Sequence, residues 1–365
     1  MKNILYIYSE QPDYVRVKKN LELLSQNGYQ VIYVGCMRGG QEKRQPPFIK
    51  NVVYEVLKLD LPHGGSKSAF KTLIFLLKAA LLVKKYQPDI VVGVNEESCL
   101  FLKLFTPRQK YLVELYDSLA FRCRSSQSLK GRLLKLISSY VINGSSGLIE
   151  VSEERLKLHP IISNCTVVPN TPDTLPDSKK TQKSLNPYIF VSGSFNDKIN
   201  GIEELLTAVK NLNGRVHIKV AGRPSGNFVR NTFITDKHVD FLGYVSKEEA
   251  AELAANSLSM FAFYKPISEI YRLASPNKVF DAMCCACPIL MNTDCMASSF
   301  PIEGGFGLGC RYDDTVKLTH NIELLLSGEF KLNKQAVINR FTSEFSWNKL
   351  SHKYLEVVEN AIRET

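Results

Sequence analysis

Long apolar runs are missing from this sequence. No stretch approaches the roughly 20 uninterrupted apolar residues of a membrane-spanning helix. The longest candidate, Thr72 to Val83, is broken by Lys78 and flanked by Lys71, Lys84 and Lys85. The early run Ile4 to Tyr8 is too short for the apolar core of a signal peptide and reads as a first strand. A dinucleotide fingerprint is missing too. Ser9-Glu10-Gln11-Pro12 stand where a G-x-G-x-x-G would follow that strand, which argues against a two-domain dehydrogenase. Metal motifs are scarce: Cys284, Cys285 and Cys287 are spaced C-C-x-C with no histidine at finger spacing, and none of the six histidines falls in a motif. These cysteines are expected as small buried residues near a helix end. An odd total of nine cysteines without a secretory signal suggests reduced thiols and a cytoplasmic protein.

What is present is enough apolar residue, 44% of 365, for two ordinary α/β domains with cores of their own. The net charge of +10 is unevenly placed. Residues 1–184 hold 27 Lys and Arg against 16 Asp and Glu, whereas residues 185–365 are near neutral. The first half is therefore expected to face something anionic.

Apolar strand-like runs alternate with helical periods along the chain, which predicts parallel, doubly wound sheets. Strands are expected at Asn3 to Tyr8, Gln30 to Val34, Ile90 to Val94, Tyr111 to Tyr116 and Leu148 to Val151. Helices are expected around Val17 to Leu24, Phe70 to Val83 and Gly131 to Ile142. A polar, proline-bearing stretch at 171–186 then reads as a linker between a first domain, 1–170, and a second, 187–345. The pattern restarts with strands at Tyr188 to Val191, Val216 to Ala221, Val239 to Leu242, Ser259 to Phe263 and Ile289 to Asn292. Ser246 and Glu249 form a capping box, and residues 346–365 hold a last amphipathic helix.

Two segments have the chemistry of a phosphate site. In Ser275-Pro276-Asn277-Lys278, serine is placed as N-cap and proline at the first helical position, so Asn277 and Lys278 fall in the first turn. Free backbone N–H groups, the helix dipole and an ammonium there suit a phosphate. Asp281, one turn further, suits ribose hydroxyls. The alternative is an ordinary capped helix with a surface lysine. The second segment, Val191 to Gly201, leaves a strand through Gly193 and crosses a polar loop bearing Lys198, at the end of a strand where open α/β sheets place ligands. Ala221-Gly222-Arg223 is a third strand end with a cation.

With these segments in order, the chain resembles the GT-B glycosyltransferases, in particular the retaining family 4 (glycosyl transferases group 1). Val191 to Glu204 is similar to that family's strand–glycine–loop–lysine segment. Phe241-Leu242-Gly243-Tyr244-Val245-Ser246 resembles its F-L-G-x-V strand, and Ser275 to Leu290 its donor-site helix. Pro88 to Val91, Glu150 to Glu154 and Val167 to Thr171 match its recurrent phrases in the first half. The resemblance implies two facing Rossmann-like doubly wound parallel-sheet domains and a last helix that crosses back to the first domain. It implies a hexosyltransferase of the retaining type acting in polysaccharide or glycolipid synthesis, without a cofactor or metal. The donor would be a nucleotide-diphosphate-sugar of the UDP or GDP type. Gly193, Lys198, Arg223, Tyr244, Ser275, Asn277, Lys278 and Asp281 are the implied donor residues, with Lys198 at the leaving diphosphate. Ser194 stands where the family has an arginine. Leu273 stands where it has the acid that touches the donor sugar, with Arg272 and Glu269 close but out of register. In the first domain Glu114-Leu115-Tyr116-Asp117 stands in place of the family's acid–x–His–Asp phrase. Asp117 is the implied general base, with Tyr116 and Glu96 also on the acceptor side; Glu96 and Glu97, after the strand Ile90 to Val94, are rivals to Asp117 on the same edge, and the alternative for these two glutamates is a solvated loop.

The implied partners are the nucleotide-sugar, a glycan or polyprenyl-linked acceptor and a membrane surface, with no nucleic acid. Lys67, Lys71, Lys78 and Lys85 fall within one stripe of a helix, and Arg122, Arg124, Lys130, Arg132 and Lys135 form a second basic run. These suit anionic headgroups and a peripheral position on the inner face of the cytoplasmic membrane; the alternative is a helix with lysines on its water face. Stacking aromatics do not interleave with the basic runs, as a single-strand binder would need. A nucleotide-sugar epimerase or hydrolase and a non-catalytic partner subunit remain open beside the transferase.

Overall fold

The computed structural model describes residues 1–38, 45–62, 66–172, 186–196 and 199–363. The chain divides into two compact units, Met1–Val168 with Ser351–Thr365, and Pro169–Leu350. Most of the linker stretch at 171–186 lies outside the described residues.

In the first unit the strands are β1 (Asn3–Ile7), β2 (Gln30–Arg38), β3 (Val52–Leu61), β4 (Ile90–Val94), β5 (Tyr111–Glu114), β6 (Gly147–Glu150) and β7 (Cys165–Val167). They alternate with α1 (Val15–Gln26), α2 (Ser66–Tyr86), α3 (Asn95–Phe105), α4 (Leu129–Asn143) and the short α5 (Glu153–Leu156). All strand pairs are parallel, in the order β3-β2-β1-β4-β5-β6-β7. The order reverses direction between β1 and β4, which puts helices on both faces of the sheet. Leu5, Ile32, Val91, Val113 and Leu148 from the strands pack against Phe75, Leu102 and Val141 from α2, α3 and α4. Apart from Asn3 at the start of β1, the inner strands β1, β4 and β5 are buried throughout, which is why they read as continuous apolar runs.

The second unit repeats the architecture. Its strands are β8 (Tyr188–Asn196), β9 (His217–Ser225), β10 (Val239–Gly243), β11 (Ser259–Ala262), β12 (Ile289–Asn292) and β13 (Gly307–Cys310). Its helices are α6 (Ile202–Asn211), α7 (Asn227–Thr235), α8 (Lys247–Asn256), α9 (Glu269–Arg272), α10 (Asn277–Cys284), α11 (Ser299–Glu303), α12 (Thr315–Ser327) and α13 (Lys334–Arg340). The sheet order is β10-β9-β8-β11-β12-β13, again parallel and again reversing after its third strand. The fold is therefore a pair of Rossmann-like doubly wound sheets. Cys284, Cys285 and Cys287 are buried in the core of this unit, and burial pushes the Cys284 thiol up to about 12. Ser246 caps α8 by accepting from the Glu249 N–H at 3.0 Å.

The last helix, α14 (Trp347–Arg363), packs on the first unit. Tyr354, Val357, Val358 and Ala361 are buried, and Asn164 Nδ2 donates to the Val357 carbonyl at 2.9 Å.

Two expectations need correction. Glu96 and Glu97 are not in a solvated loop. Asn95, at φ 60°, turns β4 directly into α3, and both glutamates lie in its first turn. The lysine stripe of α2 is only partly a free water face: Lys78 is exposed, but two of its neighbours are engaged. Lys71 Nζ donates to the Asp60 carbonyl at 2.9 Å, and Lys85 pairs with Glu55 at 3.2 Å, so both lean toward β3. Lys67 has no described side chain.

Candidate active site

In the second unit the switch point lies between β8 and β11, and ligands of open α/β sheets bind at the carboxyl ends of strands there. Three elements converge at that place. β8 runs out through Gly193, which sits at φ 121° and is exposed. Beside it in the β8–β9 register is Gly222, at φ 138°. A Cβ on Gly222 would stand 1.8 Å from the Gly193 carbonyl oxygen, so the two strands can approach this closely only with glycine there. Two residues beyond the end of β11 stands Tyr264, whose backbone N–H and carbonyl are both held by the Asn292 side chain, at 2.7 and 3.0 Å. Asn292 is fully buried, and Asp294 behind it accepts from the Tyr312 N–H at 2.7 Å.

The third element is α10. Its first residue is Asn277 and its N-cap is Pro276, at φ −74° and ψ 127°. This corrects the assignment of Ser275 as cap: the residue before a proline is driven out of the helical region, and here the proline itself takes the extended cap conformation. Ser275 therefore precedes the helix and makes no cap. The shift places Asn277 and Lys278 at the first two helical positions, where N–H groups have no acceptor four residues back. Lys278 reaches Tyr264, Nζ to phenol oxygen 3.5 Å and 5.7 Å from the ring centre. A Cβ on Gly193 would lie 3.5 Å from Lys278 Nζ. Lys278 is half-buried, so its ammonium stands over a bare patch of backbone at a strand end.

Of the other donor candidates, Arg223 is exposed next to Ser194 in the strand register. Asp281 is half-buried on α10, one turn beyond Asn277. Tyr244 stands apart, 83% exposed in the turn before α8. Lys198 lies outside the described residues. Leu273, in place of the family's acid, is buried. Tyr264 and Asn292 were missed by sequence reasoning. The signal for Tyr264 was present: a tyrosine directly after a buried strand, at the carboxyl edge.

In the first unit, Glu114 at the end of β5 is fully buried. It accepts from Tyr6 at 2.5 Å, Arg16 at 2.9 Å, Asn20 at 3.0 Å and Tyr354 at 3.3 Å. It pins α1 and α14 to the sheet. Glu96 is likewise fully buried, accepting from Ser118 at 2.5 Å, the Leu119 N–H at 3.0 Å and Ser138 at 2.7 Å. It braces the turn after β5 and has no open face for an acceptor, which corrects its expected role. Asp117 is exposed; its N–H and that of Tyr116 both donate to Asn95 Oδ1, at 3.0 and 2.9 Å. Arg122 joins Glu97 Oε1 at 2.9 Å and the Asp117 carbonyl at 2.6 Å. Burial raises the Glu97 carboxyl above the usual range, and Arg122 only partly offsets it. Tyr116 stacks on Tyr14 at 6.0 Å, meets Tyr8 edge-on at 5.3 Å and lies 4.5 Å from the Arg16 guanidinium. An exposed carboxylate and an aromatic surface thus share the carboxyl edge of the first sheet.

Comparison with known proteins agrees with the two-sheet fold. Residues 186–328 match the family model described as Glycosyl transferases group 1. Among solved structures, a sucrose-phosphate synthase from Thermosynechococcus elongatus superposes with a TM-score of 0.80 at 14% identity, covering 100% of each chain. HepE of Anabaena in complex with UDP and glucose gives 0.69 at 13% identity, covering 98% of this chain and 100% of that one. An E. coli trehalose-6-phosphate protein bound with UDP-2-fluoro glucose gives 0.70 at 9% identity, with 100% of both chains covered. No curated protein sequence matches the chain. Part of the second unit, residues 186–328, is thus similar to the group 1 glycosyl transferases, and the chain as a whole has the GT-B fold of these structures.

Proposed function

We propose that this chain moves a sugar from a nucleotide-diphosphate-sugar to a glycan or polyprenyl-linked acceptor in polysaccharide or glycolipid synthesis. The observation that carries the reading is Lys278, at the start of α10, with its ammonium over Gly193 at the switch point of a unit similar to the group 1 glycosyl transferases. UDP is the favoured donor base, because two of the similar structures hold UDP or a UDP-sugar.

The diphosphate lies against Gly193, Lys278 and the N–H groups of Asn277 and Lys278, with Lys198 and Arg223 adding charge. The ribose meets Asp281. As the bond from the anomeric carbon to the phosphate oxygen breaks, negative charge grows on the diphosphate, and these fixed donors stabilise it without a metal. The acceptor hydroxyl oxygen forms the new bond, and its proton passes to Asp117, beside Tyr116. Retention, which the family resemblance implies, requires the acceptor oxygen to reach the anomeric carbon on the same face that the diphosphate leaves. Leu273 leaves the donor sugar without the family's acid, so other groups hold it. The positive first half favours an acceptor presented at the inner face of the cytoplasmic membrane.

Leu273 also supports a second reading, a partner subunit that binds nucleotide weakly or not at all and transfers nothing. Incubation with UDP- and GDP-sugars, with and without lipid-linked acceptors, separates the readings. The transferase releases nucleotide only when acceptor is present. Turnover without acceptor means an epimerase or hydrolase. No turnover on any pair, together with weak or absent nucleotide binding, means the partner subunit.

A further inference from the structure

The outer surface of the first unit's helix layer is apolar where a water-facing layer is normally polar. α2, α3 and α4 connect β3 to β4, β4 to β5 and β5 to β6, three crossovers in one direction, so they lie on one face of the sheet. α3 packs against both neighbours, and Lys103 clasps α4 by donating to the Tyr140 carbonyl at 3.0 Å. The inner sides of all three helices fill the core.

Their outer sides are the unusual part. On α4, Leu129, Leu133, Leu136 and Tyr140 recur at helical spacing and are 87%, 57%, 68% and 51% exposed. On α2, Phe70, Leu73, Leu77 and Leu81 form a second exposed stripe. Leu104 and Phe105 end α3 between them, both exposed. Single exposed leucines are ordinary, but adjoining stripes on neighbouring helices mark an interaction surface.

The charges around these stripes identify the partner. Neither α2 nor α4 contains a single Asp or Glu. Exposed Lys78 and Lys84 flank the α2 stripe, and exposed Lys130, Arg132 and Lys135 flank that of α4. A protein partner could use the apolar part; exposed apolar stripes on two cationic helices that carry no acid match anionic lipid. Among the described residues no helix is long and apolar enough to cross a membrane. Helices of this composition lie in the headgroup layer with their apolar side chains at the acyl boundary.

We propose that the outer face of α2, α3 and α4 docks on an anionic phospholipid bilayer. The leucine and phenylalanine side chains enter the interface, and the lysines and arginine meet lipid phosphates. This deepens the lipid-linked acceptor reading, by naming the surface that meets the membrane, and rests on it only for its purpose.

The test is co-sedimentation of the full chain with vesicles of phosphatidylcholine alone or mixed equally with phosphatidylglycerol. The wild type should bind the mixed vesicles at least tenfold more tightly. Leu133→Glu with Leu136→Glu should abolish most of that binding; both positions face water, so folding and the nucleotide-induced thermal shift should survive. Lys130→Ala with Lys135→Ala should weaken it roughly thirtyfold at low salt, taking about 1 kcal/mol per cation, and the difference should shrink as salt rises. Absence of binding to mixed vesicles overturns the proposal, as does undiminished binding by the glutamate pair. So does a dimer in solution that the glutamate pair dissolves, since the face would then meet a second copy. Nucleotide-induced shifts on the same preparations show separately whether the donor reading stands.

Discussion

Replacing Gly222 by alanine should damage the second unit at one identifiable place. The backbone there sits at φ 138°, and holding a non-glycine residue in such a region costs of order 1–3 kcal/mol. The new Cβ would also stand 1.8 Å from the Gly193 carbonyl oxygen, inside any contact distance, so the ends of β8 and β9 must part. Overpacking of this kind costs a further ~1–3 kcal/mol. The sum is about 4 kcal/mol, and the displaced group is Gly193, under Lys278. Gly214→Ala is the control. It also has positive φ, 77°, but nothing stands within 4 Å of its Cβ, so it should lose only ~1–2 kcal/mol. Urea unfolding of the two variants gives the difference, and titration with UDP shows whether only the first loses nucleotide binding. If Gly222→Ala is as stable as Gly214→Ala and binds UDP as the wild type does, the close approach of the two strand ends, and the site built on it, are wrong.

Further predictions concern the frame around the site. Glu114→Gln leaves the buried Arg16 guanidinium without its counter-charge, and removing one partner of a buried pair costs ~3–5 kcal/mol. Because Tyr354 also bonds this carboxylate, hydrogen exchange in α14 should rise with the loss of stability. Asp236 is opposed by its own burial, yet hydrogen bonds from Lys210 and His238 draw its carboxyl down to about 2. A depressed carboxylate stabilises above its unfolded pKa, so this contribution, on the order of 1 kcal/mol at so shallow a site, should be lost as pH falls from 4 toward 2. Asp236→Asn should flatten acid denaturation in that window. Burial lifts the thiols of Cys36 and Cys284 to about 12, so native protein should react far more slowly with a thiol reagent at pH 8 than urea-unfolded protein does.

The sheets were legible because strands buried on both faces leave continuous apolar runs, as in Ile4 to Ile7 and Ile90 to Val94. β3 was not: it is an edge strand of mixed exposure and reads as loop. α3 was hidden because Asn95 bends strand into helix with no connecting residues, so Glu96 looked like part of a loop and proved to be a brace. In the proposed donor segment, the place of Asn277 and Lys278 in the first turn of a helix was legible, while the cap was misplaced by one residue because Pro276 suits both the cap and the first turn. The apolar outer face of α2 could not be read at all. With leucines around most of the helix, periodicity does not say which stripe meets the sheet. The lysines seemed to mark the outside, and two of them turned out to reach back to β3.

The central claim is that a donor diphosphate binds over Gly193 under Lys278. The most direct measurement is the thermal shift given by UDP, GDP, dTDP and CDP on the wild type and on Lys278→Ala. A ligand that binds only the native state at 100 times its Kd stabilises by about 2.7 kcal/mol. Loss of a charge-assisted contact worth ~1.5–3 kcal/mol weakens binding at least tenfold. The account predicts that UDP raises the wild-type midpoint and that Lys278→Ala loses between about half and nearly all of the rise at the same concentration. A wild type that none of the four nucleotides stabilises, or a variant that responds as the wild type does, would contradict it.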